Sequence, residues 1–137
     1  MRFQTALAEI YYLVVHADGE ITDNEVEAAT YISRIENFKP RKFLEEVAYF
    51  EENEDMQMQE KIQKCISDIE LLPEADKVRC MAWMGLIASI DGIVGEREWA
   101  LISQIYIDAL DINAREVFEE QQGLRMTISM LKSRPLS

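Results

Sequence analysis

The chain predicts an all-α fold, a compact bundle of about seven helices in two pseudo-symmetric helix-turn-helix halves, on three observations. Apolar residues recur at three and four positions along most of its length, the spacing of a single helix face. Breakers are scarce, with five Gly and three Pro in 137 residues, and no Asn-Gly turn joins alternating strands. One short phrase is stated twice, as Asp18-Gly19-Glu20-Ile21-Thr22-Asp23-Asn24-Glu25 and as Asp91-Gly92-Ile93-Val94-Gly95-Glu96-Arg97-Glu98. Each copy follows an apolar helical pattern and opens another, which reads as helix, tight turn, helix. The expectation is one domain over 1–137, with repeat halves of about 1–72 and 73–137, long enough to bury a core.

The elements follow in order. The first helix runs from about Phe3 to Ala17, with Phe3, Leu7, Ile10, Val14 and Ala17 on one apolar face. Gly19 stops it, because a left-handed position after a helix costs Gly nothing sterically. The second starts at Thr22, ends near Glu36 and buries Val26, Ala29, Ile32 and Ile35. Asn37 to Lys39 form a loop, and Pro40 suits the first position of the third helix, which reaches about Glu52. Leu44, Val47, Ala48 and Phe50 or Glu51 lie around that helix.

The acidic run at Glu51, Glu52, Glu54 and Asp55 is an exposed join. The fourth helix, about Met56 to Leu71, buries Met58, Ile62, Cys65, Ile66 and Ile69. Pro73 opens the fifth, which is apolar nearly all round from Met81 to Ala88 and is expected at the centre, ending before Gly92. Gly85 within it lets a neighbouring helix approach closely. The sixth spans about Glu96 to Leu110 with Trp99, Ile102, Ile105 and Tyr106 inward. Asn113 and Glu116 cap the seventh, whose face carries Val117, Leu124, Ile128 and Leu131. Gly123 is placed to bend that helix, and the tail Arg134 to Ser137 frays.

Composition restricts the partners. With 26 acidic and 14 basic residues the formal charge is -12, a surface that repels phosphate backbones and anionic lipid and attracts cations or basic protein surfaces. Other proteins are therefore the expected partners, with no nucleic acid and no membrane insertion. The longest apolar stretch, Cys80 to Ile90, is about half of what spans a bilayer. Glu9 interrupts the apolar pattern of the first helix, unlike a secretion signal. Cys65 and Cys80 form no CxxC and read as buried thiols of a reducing cytosol. A cytoplasmic protein is expected.

Most of the repeated phrase is explained by folding. Thr22 and Glu25 form a T-x-x-E capping box, with Ile21 and Val26 placed as its hydrophobic staple. In the second copy Gly95, Glu98, Val94 and Trp99 take the corresponding places. Capping does not account for Asp18 and Asp91, which face the negative end of a helix dipole. Their partner is either a cation or the N-terminus of the next helix. An EF-hand is not expected, since Val14 and His16, and Ile87 and Ser89, stand where the loop needs oxygen ligands.

The paired phrase resembles the TerB-like tellurite-resistance family, in Ala17 to Glu25 and in Ile90 to Glu98, and the likeness in length, acidity and helical layout covers nearly the whole chain. The resemblance implies a bundle of about seven helices and a non-enzymatic module of a stress-response system. It also implies divalent-metal binding by acidic residues at the paired turns, which by position are Asp18, Glu25, Asp91 and Glu98. Hard oxygen ligands favour calcium, magnesium or manganese as the cofactor. The second copy has Gly95 for Thr22 and Ile93 for Glu20, so the two halves are not equivalent. The alternative is a metal-independent protein-interaction module in which these carboxylates only cap helices, and which has no cofactor.

No other chemistry is indicated. His16, the single histidine, suits a helix C-terminus. Nucleophile elbow, phosphate loop and Cys-His pairing are all missing from the sequence, so no enzyme is expected. The methionines at 56, 58, 81, 84, 126 and 130 stand at core-like spacing and read as packing.

Overall fold

The computed structural model describes residues 2–17, 22–52, 56–90, 100–102, 105 and 114–133. The fold is an all-α bundle, with no strand among the described residues. Its helices are α1 Arg2–His16, α2 Asp23–Ile35, α3 Pro40–Glu51, α4 Met58–Glu70, α5 Glu74–Ala88 and α7 Ala114–Ser133. Residues 100–102 and 105 are the described part of α6.

Two helices make the centre. α1 packs against α3, α4 and α5, and α5 packs against α1, α4 and α7. Burial of α5 is as expected: Trp83, Met81, Met84 and Ile87 are fully enclosed. The surprise is α1, in which every residue from Ala6 to Val15 is buried, where one apolar face was expected. A helix surrounded on all sides has no outward face, so the charged residue at Glu9 is carried into the interior.

The ends of the elements follow local chemistry. Thr22 is the N-cap of α2: the Glu25 N–H donates to Thr22 Oγ1 at 3.2 Å, and the Thr22 N–H donates to Glu25 Oε1 at 3.0 Å. Both halves of the predicted capping box are thus present. α2 closes with Asn37 at φ 60°, while the Phe38 N–H donates to the Ser33 carbonyl at 2.8 Å. This is a Schellman ending with Asn in the left-handed position usually taken by Gly. Phe38 then stacks on Phe43 and meets Phe3 edge-on, which pins the loop over the start of α1. Pro40 opens α3 as expected.

Gly85 is a point of close approach. A Cβ there would lie 2.5 Å from Gln121 Nε2 on α7, whose amide donates to the Ala82 carbonyl.

Several expected core positions face outward: Val26, Leu44 and Met58 are exposed, as are Met126 and Met130. Val26 misses because α2 turns Glu25, Ala28, Ala29 and Ile32 inward, placing Val26 at the rim. In α3 the inward positions are Phe43 and Phe50, one residue away from Leu44. Cys65 and Cys80 are buried free thiols, and burial raises both above the ordinary thiol range.

Among the described residues no helix is long and apolar enough to cross a membrane. The expected stops at Gly19 and Gly92, the staple residue Ile21, the second-copy cap at Val94, Gly95 and Trp99, the capping Asn113 and the tail lie outside the described residues.

Candidate functional site

Of the four carboxylates expected at the paired turns, Glu25 lies within the described residues, and Asp18, Asp91 and Glu98 lie outside them. Glu25 is nearly enclosed at the start of α2, with one carboxylate oxygen engaged by the Thr22 N–H. Its backbone carbonyl accepts from the Tyr11 hydroxyl at 3.0 Å, fastening the start of α2 to α1. Burial, then the Glu25 charge, pushes the Tyr11 hydroxyl up to about 12, so it remains a donor. Among the described residues no group of three His, Cys, Asp or Glu side chains is arranged to hold a metal.

A second constellation was not anticipated. Glu9 of α1 is 2% exposed, and its Oε2 accepts from Lys64 Nζ of α4 at 2.8 Å. The same ammonium donates to Asp68 Oδ2 at 2.8 Å. One cation thus serves two carboxylates, one deep and one at the rim. Burial first, and the adjacent Asp68 second, push the Glu9 carboxyl up to about 8 against the pull of Lys64. Burial lowers Lys64, but its hydrogen bonds to Asp68 and Glu9 outweigh that and hold it above the usual lysine value. Asp68 ends lowered, burial being outweighed by hydrogen bonding with Glu9 and Lys64.

Glu9 also lines a cavity of about 450 Å³ between α1, α3 and α4, walled by Thr5, Lys42, Glu45, Glu46, Tyr49, Phe50 and Lys64. Two carboxylate oxygens of this wall, Glu9 Oε1 and Glu46 Oε2, are buried with no hydrogen-bond partner in the protein. The other oxygen of Glu46 accepts a long bond from Thr5 Oγ1 at 3.4 Å. Buried acceptors without donors are uncommon and costly, which marks this place in the molecule. The sequence did carry one signal for it: Glu9 sits within the apolar run from Ala6 to Val15.

Two further charged groups organise the interior. Lys61, buried on α4, donates to the Tyr12 hydroxyl and the Glu51 carbonyl at 3.3 Å each, and lies over the Tyr12 and Phe50 rings. His16 ends α1 as expected, its ring against Tyr12. Arg79 of α5 donates to Glu36 Oε2 at 2.6 Å and to Glu120, and the Trp83 indole N–H joins Glu36 at 2.7 Å. α2, α5 and α7 are thereby tied by one guanidinium.

On α7, Met126 and Met130 are exposed one turn apart, and Phe118 is exposed two turns before Met126 on the flank of the helix. A groove between α5 and α7 is lined by Glu74, Ala75, Val78, Glu116, Glu119 and Glu120. No family model, curated protein or solved structure matches the chain.

Proposed function

We propose that the chain is a non-enzymatic, cytoplasmic, TerB-like module of a tellurite-resistance or stress-response type system that docks another protein through α7. The observation that carries this reading is the exposure of Phe118, Met126 and Met130 on α7, the helix that also supplies Glu116, Glu119 and Glu120 to an acidic groove completed by Glu74. Large apolar side chains on the outer face of a helix in an otherwise acidic protein are a contact surface, and a four-carboxylate margin selects a basic partner. The occupant is an amphipathic helical segment with an apolar stripe flanked by Lys and Arg. On this reading the carboxylates of the paired turns cap helices, and Glu25 supports it by bonding back to Thr22.

Calorimetry with a synthetic leucine–lysine helical peptide tests the docking. A Phe118→Ser, Met126→Ser double variant should bind about tenfold more weakly or worse, since such anchors carry most of a contact's energy. Equal binding by both proteins would leave only charge attraction and remove the claim.

The second reading keeps a divalent cation, calcium, magnesium or manganese, at Asp18, Glu25, Asp91 and Glu98. It is supported by the position of Glu25, a nearly enclosed carboxylate fixed directly after the first turn. Titration of calcium into wild type and an Asp18→Asn, Asp91→Asn variant decides it: binding lost in the variant favours the metal, equal or absent heats remove it.

A further inference from the structure

We propose that the cavity between α1, α3 and α4 binds a small primary alkylamine, its ammonium held between Glu9 and Glu46 and its aliphatic chain against Tyr49 and Phe50. Glu9 on α1 and Glu46 on α3 line one cavity, and neither Glu9 Oε1 nor Glu46 Oε2 has a hydrogen-bond partner within the protein. What both lack is a donor. A primary ammonium presents three N–H groups on one atom and a charge that strengthens each bond to a carboxylate.

The other ligand classes fit less well. An anion would face Glu9, Glu45 and Glu46, and the lysine nearest the floor, Lys64, is already shared by Glu9 and Asp68. A divalent metal takes six or more oxygen ligands, and one oxygen of Glu9 is already committed to Lys64. A plain alcohol supplies a single donor for two acceptors.

The lining also suits the tail of such a ligand. Phe50 forms buried wall, and Tyr49 on the outer rim is 76% exposed. Lys42, Glu45 and Tyr49 are exposed side chains of α3, so rotation of this outer wall admits the ligand while the α1 and α4 side stays fixed. A cavity of this size, part apolar and with a few convergent polar groups, is of the kind that holds small organic molecules.

The test is calorimetric titration of the full chain at about pH 9, where Glu9 is ionised and an alkylammonium, like that of lysine, is still charged, with n-hexylammonium chloride as ligand and n-hexanol and calcium chloride for comparison. One amine site per chain is expected, with n-hexanol weaker by about tenfold or more, the difference a charged hydrogen bond makes. Glu9→Gln and Glu46→Gln should each weaken the amine by about tenfold, whereas Glu60→Gln, an exposed position on α4, should leave it unchanged. Glu46 is only partly buried, so its variant decides the matter even if Glu9→Gln disturbs folding. Unaltered amine binding in Glu46→Gln, n-hexanol binding as tightly as the amine, or calcium taking the site in its place would each overturn the proposal.

Discussion

Lys64 Nζ stands 2.8 Å from Glu9 Oε2 and 2.8 Å from Asp68 Oδ2, so a single ammonium bridges an enclosed carboxylate on α1 to one at the rim of α4. Breaking such a bridge at one end leaves a charge in the interior, whereas replacing the buried acid by its amide leaves the shape intact. That distinction yields a prediction about pH.

The Glu9 carboxyl is raised to about 8 from 4.5, by burial before all else. Between those values the folded chain holds a proton that the unfolded chain has released. Stability from this group is therefore fully present at low pH and is lost as pH rises from about 4.5 to about 8. The charged or titratable neighbours are Lys64, Asp68 and Cys65 on α4 and Glu46 on α3. On α5, Cys80 interacts with Cys65. Glu9→Gln does not titrate, so its stability relative to wild type should improve across this window by more than about 1 kcal/mol, one pKa unit being worth about 1.4 kcal/mol. Urea unfolding at about pH 5 and about pH 8.5 measures it, and a constant difference between the two proteins would contradict it.

Thr22→Ala removes the acceptor of the Glu25 N–H and should cost about 1 kcal/mol. If the first turn is a cap and nothing more, thermal unfolding of wild type will be the same in excess chelator and in millimolar calcium. A rise in unfolding temperature with calcium, absent in Asp18→Asn, Asp91→Asn, would favour the metal reading instead.

Gly85 and Gly123 should answer differently to Ala. At Gly123 a Cβ meets nothing within 4 Å, so Gly123→Ala gains helix propensity of up to about 1 kcal/mol. At Gly85 the new methyl displaces the Gln121 amide and its 3.4 Å bond to Ala82, cancelling most of that gain. Chemical denaturation of the two variants side by side checks the order.

Arg79→Met leaves Glu36 and Glu120 without their cation and should destabilise by about 2 kcal/mol or more, because Glu36 is mostly enclosed. Arg79→Lys should recover only part of this, since an ammonium cannot reproduce the forked contact to both acids. Equal stability of Arg79→Met and wild type would show the network to be incidental.

The fold was largely legible because its signals are local. Thr22 and Glu25, Pro40, and the apolar second half of α5 each declare themselves within a few residues. What escaped depends on which elements meet. Val26 and Leu44 are apolar at helical spacing, yet the faces chosen by Glu25 and Phe43 put them outside. Met126 and Met130 read as packing by composition, and only the position of α7 at the edge of the bundle turns them into a surface. Glu9 was visible as a charge inside an apolar run, but its partner Lys64 lies on another helix, 55 positions away. Its meaning required the crossing of α1 with α4.

The central claim, docking through the outer face of α7, is tested most directly by mapping the bound peptide on the isotope-labelled chain by nuclear magnetic resonance. Shift changes are expected at Phe118, Met126, Met130 and the acidic margin of Glu74, Glu116 and Glu119, with Val26 and Leu44 unmoved. Changes centred on the turn before α2, or spread evenly over the acidic surface, would contradict it.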